Sequence, residues 1–222
     1  MNRPVRSHAV VPRRLPRPPA DEGSLPRGFY DRPTELVAAD LLGKALLRRI
    51  GGQWIGGVIV ETEAYLAEHD LASHSARGRT RGNASMFGIP GTLYVYPIHA
   101  KHCLNAVTEG PGRGAAVLIR AVEPVWGLAL MKRHRSREDP RRLTSGPAML
   151  CQALRIDRGH DGLDLAGKGP IRIVALPGVR PASVRRGPRI GIRRDTDLPL
   201  RFVIADNPFL SRKPPAPPEG FA

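Results

Sequence analysis

The stretch KALLRRIGGQWIGGVIVETEAY, residues 44–65, constrains the fold more than any other part of the chain. Two apolar runs, Lys44–Ile50 and Gln53–Val60, flank the pair Gly51-Gly52, which tolerates the positive φ of a tight turn, so the spacing predicts a β-hairpin. Val58, Ile59 and Val60 are consecutive β-branched residues, the composition of a strand covered on both faces. The run then meets Glu61 and Glu63. Two residues apart in an extended chain, they share one face, and Tyr65 continues it, while Thr62 and Ala64 lie on the other. Taken alone, this spacing predicts two glutamates solvated at the rim of a sheet, because an unpaired buried carboxylate is unfavourable.

Further along the chain, short helical and extended patterns alternate. Pro33 and Thr34 mark the start of a helix bearing Leu36, Val37, Leu41 and Leu42, and Gly43 is placed to end it. Strands are predicted at Thr92–Ile98, Ala115–Val122, Ile171–Val174 and Leu200–Ile204, and helices at Pro124–His134 and Pro147–Leu154, the latter opened by Ser145-Gly146-Pro147. On the first of these strands Tyr94 and Tyr96 share a face opposite Leu93 and Val95. Arg120 sits inside the apolar run VLIRAVEP. The mixture reads as α+β, with consecutive strands pairing as antiparallel neighbours.

Lysine plus arginine number 35 against 20 acidic residues, a net charge of +15. Such an excess favours a polyanionic partner, since neutralising phosphates releases counterions. No apolar run is long enough to span a bilayer and no basic amphipathic helix stands out, so nucleic acid is the expected partner and not a membrane. Residues 1–27 hold six arginines among six prolines, lack the apolar segment of a signal peptide and read as a disordered basic tail; residues 211–222 read as a proline-rich extension. With Cys103 and Cys151 as the sole cysteines, a disulfide framework is excluded and a reducing, cytoplasmic setting at the nucleoid is expected. The segment HAKHC sets His99, His102 and Cys103 at metal-like spacing but offers no fourth ligand, and Cys151 lies on an apolar helix face. No phosphate-cradling loop, dinucleotide fingerprint or nucleophile elbow is present, so neither metal nor cofactor is expected.

Five residues suggest chemistry when taken together: Glu63, Tyr65, His74, Tyr96 and Arg120. Singly, each has a structural explanation, the tyrosines as core edges, His74 as a loop hydrogen-bonder and Arg120 as the partner of a buried glutamate. Jointly they supply aromatic planes to sandwich a base, a donor to read its edge, and a carboxylate beside a cation that keeps it ionised.

The same segments carry a family resemblance. GFYDRPTELVAADLLGKALLRR, VIVETEAYLAEHDLASHSARGRTRGNASMFGIPGTLYVY, VLIRAVEP, TSGPAMLCQAL, RIGI and PLRFVI together resemble the alkyladenine (3-methyladenine) DNA glycosylases over residues 28–210. The resemblance implies a single mixed domain with a curved, mainly antiparallel sheet and flanking helices, acting as a monomer on double-stranded DNA. It implies that Glu63 activates the attacking water, that Arg120 and the backbone carbonyl of Ile190 help hold it, and that Tyr65, His74, Tyr96 and Leu118 line the base pocket. Asn105 corresponds to the residue that discourages guanine by crowding its exocyclic amine, and Arg77, Arg79 and Arg81 correspond to the DNA-binding arginine loop. Two departures stand out. His99 occupies the position where the family usually places a tyrosine wedge, ahead of a segment one residue short, and Arg81-Gly82 replaces the common proline and arginine. The implied activity is that of a monofunctional glycosylase releasing alkylated purines in base excision repair. A non-catalytic DNA-binding protein on the same fold is the alternative, and an RNA-binding module is disfavoured by the lack of its aromatic signatures.

Overall fold

The computed structural model describes residues 17–19, 22–179, 181 and 183–213. Most of the expected N-terminal tail, residues 1–16 with 20 and 21, lies outside them, as does the C-terminal stretch 214–222. Chain on the outer side of both expected tail boundaries is bonded to the domain. Ser24 Oγ donates to Gly167 O at 2.7 Å, the Leu25 N–H to Ile173 O at 2.8 Å, and Arg27 pairs with Asp164 at 2.9 Å, so the attached chain starts ahead of residue 28. At the other end residues 211–213 are bonded into the domain.

The predicted hairpin is formed by β1 (Ala45–Ile50) and β2 (Gln53–Tyr65). Ile50 pairs with Gln53 across Gly51 and Gly52, whose φ values of +55° and +80° suit a tight hairpin turn that β-carbons would strain. Strand β2 continues five residues past Val60, so the glutamates lie within it rather than beyond its end. The other strands are β3 (Leu93–Ile98), β4 (Lys101–Thr108), β5 (Ala115–Trp126), β6 (Ile171–Val174), β7 (Val184–Gly187) and β8 (Arg201–Ile204). They form one antiparallel sheet in the order β3-β4-β5-β2-β1-β6, with β8 on β2 and β7 on β8. One edge of β2 thus serves two partners, β1 along residues 53–58 and β8 along residues 61–63. The change of partner coincides with register irregularities around Glu61, and bulges of this kind bend and twist a strand. The sheet curls accordingly, an α+β arrangement with helices α1 (Arg27–Tyr30), α2 (Thr34–Asp40), α3 (Leu128–Arg135) and α4 (Pro147–Leu154). Among the described residues no helix is long and apolar enough to cross a membrane.

The main core gathers Leu41, Leu46, Ile55, Ile59, Leu93, Leu104, Ile119 and Phe202, each at most 2% exposed. Leu93 and Val95 face it, while Tyr94 and Tyr96 join a separate cluster with Met86, Val107 and Ala116, as their alternation predicts. Two expectations change. The helix expected from Pro124 starts at Leu128, because Pro124 to Trp126 prolong β5. Gly57 admits this close passage, since a β-carbon there would lie 2.0 Å from Glu123 O. Strand β7, with the sequence VRRG, lacks the apolar alternation that marks a strand and forms on the edge that β8 offers.

Candidate active site

Glu61 and Glu63 are fully buried, unlike the solvated rim that their spacing taken alone predicts, and as a shielded catalytic carboxylate with a buried structural acid beside it requires. Strand β5 covers one edge of this part of β2 and β8 the other, and each supplies an arginine. Arg120 of β5 bridges both carboxylates, with Nε 3.2 Å from Glu61 Oε1 and Nη1 3.1 Å from Glu63 Oε2. Arg201 of β8 donates from Nε to Glu61 Oε1 at 2.8 Å. Glu63 accepts two further bonds, from the Tyr65 hydroxyl to Oε2 at 3.0 Å and from the Ile190 N–H to Oε1 at 2.7 Å. It is therefore the Ile190 amide that touches Glu63 directly.

Burial pushes the Glu63 carboxyl above the usual carboxylate range; Arg120, the Ile190 amide and the Tyr65 hydroxyl oppose this, and Glu61 adds to it. Arg120 thus moderates the effect of burial, acting in the direction of the expected role of keeping Glu63 ionised. Burial pulls the Arg120 guanidinium down, but Glu63 and Glu61 outweigh it and its pKa is raised, so Arg120 is charged. A carboxylate with a raised pKa beside a fixed cation suits a general base, whose efficiency grows as its pKa approaches the working pH.

In front of this pair opens a cleft of about 730 Å³ whose walls include Tyr65, His74, Tyr96, Leu118, Arg120 and Ile190. Six of the expected catalytic, water-holding and base-pocket residues therefore converge, and Glu63 lies directly behind three of them, bonded to Tyr65, Arg120 and Ile190. His74 sits on a short helical turn, Nδ1 2.8 Å from the Tyr94 hydroxyl, its ring edge-on to Tyr96 with centroids 4.5 Å apart. Burial, then the charge of Arg77, lowers its pKa, leaving a neutral imidazole at neutral pH. The Tyr65 ring is covered on one face by the guanidinium of Arg189, whose Cζ is 4.7 Å from the centroid. Arg189 is itself gripped by Asp70 in a bidentate pair of 2.6 and 2.7 Å and donates to Ala64 O at 3.0 Å.

Other expected residues lie elsewhere. Asn105 is not on the cleft wall: it is buried behind the aromatic residues, donates to Tyr94 O at 3.0 Å and borders a 20 Å³ space with Tyr65, His74, Met86, Tyr94 and Tyr96. Such a space is about the size of one water. Arg77 reaches the cleft, joined at its rim by Arg193 and Arg194, while Arg79 and Arg81 are exposed on the same loop outside it. Asn83 fixes that loop, accepting from the Thr80 N–H at 2.6 Å and donating to the carbonyls of His74 and Gly78 at 3.0 Å each. His99 occupies the tip of the two-residue turn between β3 and β4, exposed and at φ +44°. Its neighbour Ile98 is 41% exposed and lines the cleft. His99, His102 and Cys103 do not converge, and among the described residues no three His, Cys, Asp or Glu side chains are grouped to hold a metal ion.

This geometry agrees with a direct comparison of sequences: the family model described as methylpurine-DNA glycosylase matches residues 28–208. The chain belongs to the methylpurine-DNA glycosylase family. A protein of Rhodopirellula baltica named "Putative 3-methyladenine DNA glycosylase" is 53% identical over 198 residues, spanning 85% of this chain and 83% of the relative. Proteins of Koribacter versatilis and Methanocella arvoryzae with the same name are 45% and 43% identical, over 85% and 86% of this chain and 93% and 97% of their own.

For this member of the methylpurine-DNA glycosylase family, sequence reasoning missed Arg189, Asp70, Asn83, Arg201 and Ser211. The first pair pins the segment that brings the Ile190 amide to Glu63, and Ser211 donates to both oxygens of Glu61. A signal existed for the first pair: Arg189 immediately precedes Ile190 and opens the RIGI motif. Nothing local marked Ser211 as a partner of Glu61.

Proposed function

We propose that the protein is a monofunctional DNA glycosylase that turns alkylated purines, 3-methyladenine and related lesions, out of duplex DNA and hydrolyses the N-glycosidic bond to leave an abasic site. The observation that supports this most is Glu63, buried, bonded to three fixed donors and set directly behind a cleft walled by Tyr65, His74 and Tyr96. A methylated purine cation is a good leaving group, and its departure leaves an oxocarbenium-like sugar. What the site must supply is position, negative charge and a proton acceptor. A carboxylate has four lone-pair directions, and three on Glu63 meet donors. The fourth, on Oε1, accepts a water O–H, with Arg120 and the Ile190 carbonyl holding the water oxygen and its second hydrogen.

Flipping is required because the bond is out of reach inside the stacked duplex. Arg189 already covers one face of Tyr65, so the base stacks on the other, opposite His74 and Tyr96. A cationic base gains about 0.5–2 kcal/mol over a neutral one on such faces, which favours damaged purines. Asn105 meets the base edge once the small space behind the tyrosines widens, and there it crowds the exocyclic amine of guanine. Arg77, Arg79 and Arg81 contact phosphates on one bank of the cleft, with Arg193 and Arg194 across it. The β3–β4 turn enters the gap left by the base, His99 at its tip. Double-stranded DNA is the partner, bound by a monomer at the nucleoid in the cytoplasm, with residues 28–210 as the glycosylase domain, residues 24–27 and 211–213 bonded onto it, and the arginines of residues 1–27 adding basic charge.

The test is release of abasic sites, scored on a gel, from duplexes bearing single 3-methyladenine, 7-methylguanine, ethenoadenine or hypoxanthine. Excision of at least the methylated cations, lost in Glu63→Gln, is the expected result. Tight lesion binding with no base release from any substrate would make the protein a non-catalytic DNA binder instead.

A further inference from the structure

Glu61 does not line the cleft, and water activation at Glu63 makes no direct use of it. Yet it accepts four bonds while fully buried. Arg120 Nε lies 3.2 Å and Arg201 Nε 2.8 Å from Oε1, the Ser211 hydroxyl donates to Oε1 at 2.8 Å, and the Ser211 N–H donates to Oε2 at 2.6 Å. The chain beyond β8 is gripped in turn, since Arg201 Nη1 and Nη2 donate to the carbonyls of Lys213 and Arg212 at 3.2 and 3.1 Å. The Ser211 oxygen also accepts from Arg120 Nη2 at 3.4 Å. Two of the three guanidinium nitrogens of Arg120 are therefore anchored away from the cleft, and the third, Nη1, points to Glu63 Oε2 at 3.1 Å. A guanidinium is a rigid planar fork, so anchoring two nitrogens fixes the direction of the last.

We propose that Glu61 and Ser211, clamped by Arg201, are positioning residues that aim Arg120 at Glu63, which makes residues 211–213 part of the active site. The proposal rests on Glu63 being the base. Its plain competitor is that the same bonds only fasten the end of the chain to the sheet. The two differ in what they do to Glu63, because Arg120 is shared. The ionisable groups that face Glu63 are Arg120 from β5, Glu61 and Tyr65 from β2, Cys103 from β4 and Arg189 from the segment ahead of Ile190. Replacing Glu61 by glutamine removes a negative charge that raises Glu63, so Glu63 should titrate at lower pH. Removing the Ser211 hydroxyl leaves every charge in place and only loosens the guanidinium.

The experiment measures single-turnover excision against pH, lesion-DNA affinity and thermal unfolding for Ser211→Ala, Ser211→Thr and Glu61→Gln, together with carbon-13 NMR titration of Glu63 in glutamate-labelled protein. Ser211→Ala should slow excision about tenfold with lesion binding unchanged, Ser211→Thr should restore the rate, and Glu61→Gln should move both the acid limb of the rate profile and the Glu63 midpoint to lower pH. Loss of thermal stability in Ser211→Ala with a parental excision rate would establish the plain competitor and overturn the proposal. So would an unmoved Glu63 midpoint in folded Glu61→Gln. Should Glu61→Gln fail to fold, the alanine and threonine pair at Ser211 still decides. A parent protein that excises nothing would defeat the functional reading alone, since the NMR titration reports positioning without turnover.

Discussion

Replacing Glu63 by glutamine preserves the side chain's shape and tests its charge, and the structure sets what should follow. The carboxylate accepts from the Ile190 N–H on one oxygen and from Arg120 Nη1 and the Tyr65 hydroxyl on the other. A glutamine amide has one oxygen, so whichever way it lies its NH₂ group faces either the Ile190 N–H or Arg120, and one buried donor loses its partner at a cost of about 1–3 kcal/mol. The removed charge acts in the opposite sense. Because burial raises the folded-state pKa of Glu63 above its ordinary value of 4.5, the folded protein holds that proton more tightly than the unfolded chain does. Its contribution to stability is full below pH 4.5 and is lost as pH rises through the raised folded value. The parent bears this loss at neutral pH and the variant does not. Glu63→Gln should therefore gain stability relative to the parent between pH 4.5 and neutrality, as read by urea unfolding at several pH values. Single-turnover base release should fall by about 10²–10⁴-fold, while lesion binding holds. Excision within tenfold of the parent, or a stability difference independent of pH, would refute the reasoning.

Asp70→Ala leaves the guanidinium of Arg189 buried without its bidentate partner, and should lower unfolding free energy by about 3–5 kcal/mol; a loss below about 1 kcal/mol in urea titrations would show that Arg189 reaches water. Tyr65→Ala should weaken binding of lesion duplex more than undamaged duplex, by about 1–3 kcal/mol in fluorescence anisotropy, and equal losses on both would reduce Tyr65 to a core residue. Deleting residues 1–16 removes four arginines and spares Ser24 and Leu25, which are bonded to the domain. The slope of log affinity against log salt on undamaged DNA should then decrease, by about 0.9 for each phosphate no longer neutralised, whereas an unchanged slope would mean that the segment does not touch the backbone. His99→Tyr at the exposed turn should strengthen lesion-DNA binding, because a larger aromatic ring fills more of the gap left by the base; if the affinity does not move, Ile98 is the residue to test as the wedge.

Periodicity and turn chemistry made the local features readable. The Gly51-Gly52 hairpin, the helix Pro147–Leu154 and the division of Tyr94 and Tyr96 from Leu93 and Val95 all follow from what each residue does to its own few neighbours. Motif resemblance extended this to the cleft, where Tyr65, His74, Tyr96, Leu118, Arg120 and Ile190 stand together. Only the tertiary structure decided what covers each face. Alternation puts Glu61 and Glu63 on one side of β2, yet whether that side meets water depends on β5 and β8, which arrive with Arg120 and Arg201 from 59 and 140 residues away. The same holds for Asp70 and Arg189, 119 residues apart, and for Glu61 and Ser211, 150 apart. Pairings over such distances are set by the path of the chain through the sheet, so Ser211 belonged to an apparent tail by its local composition and to the carboxylate cluster once β8 had paired with β2.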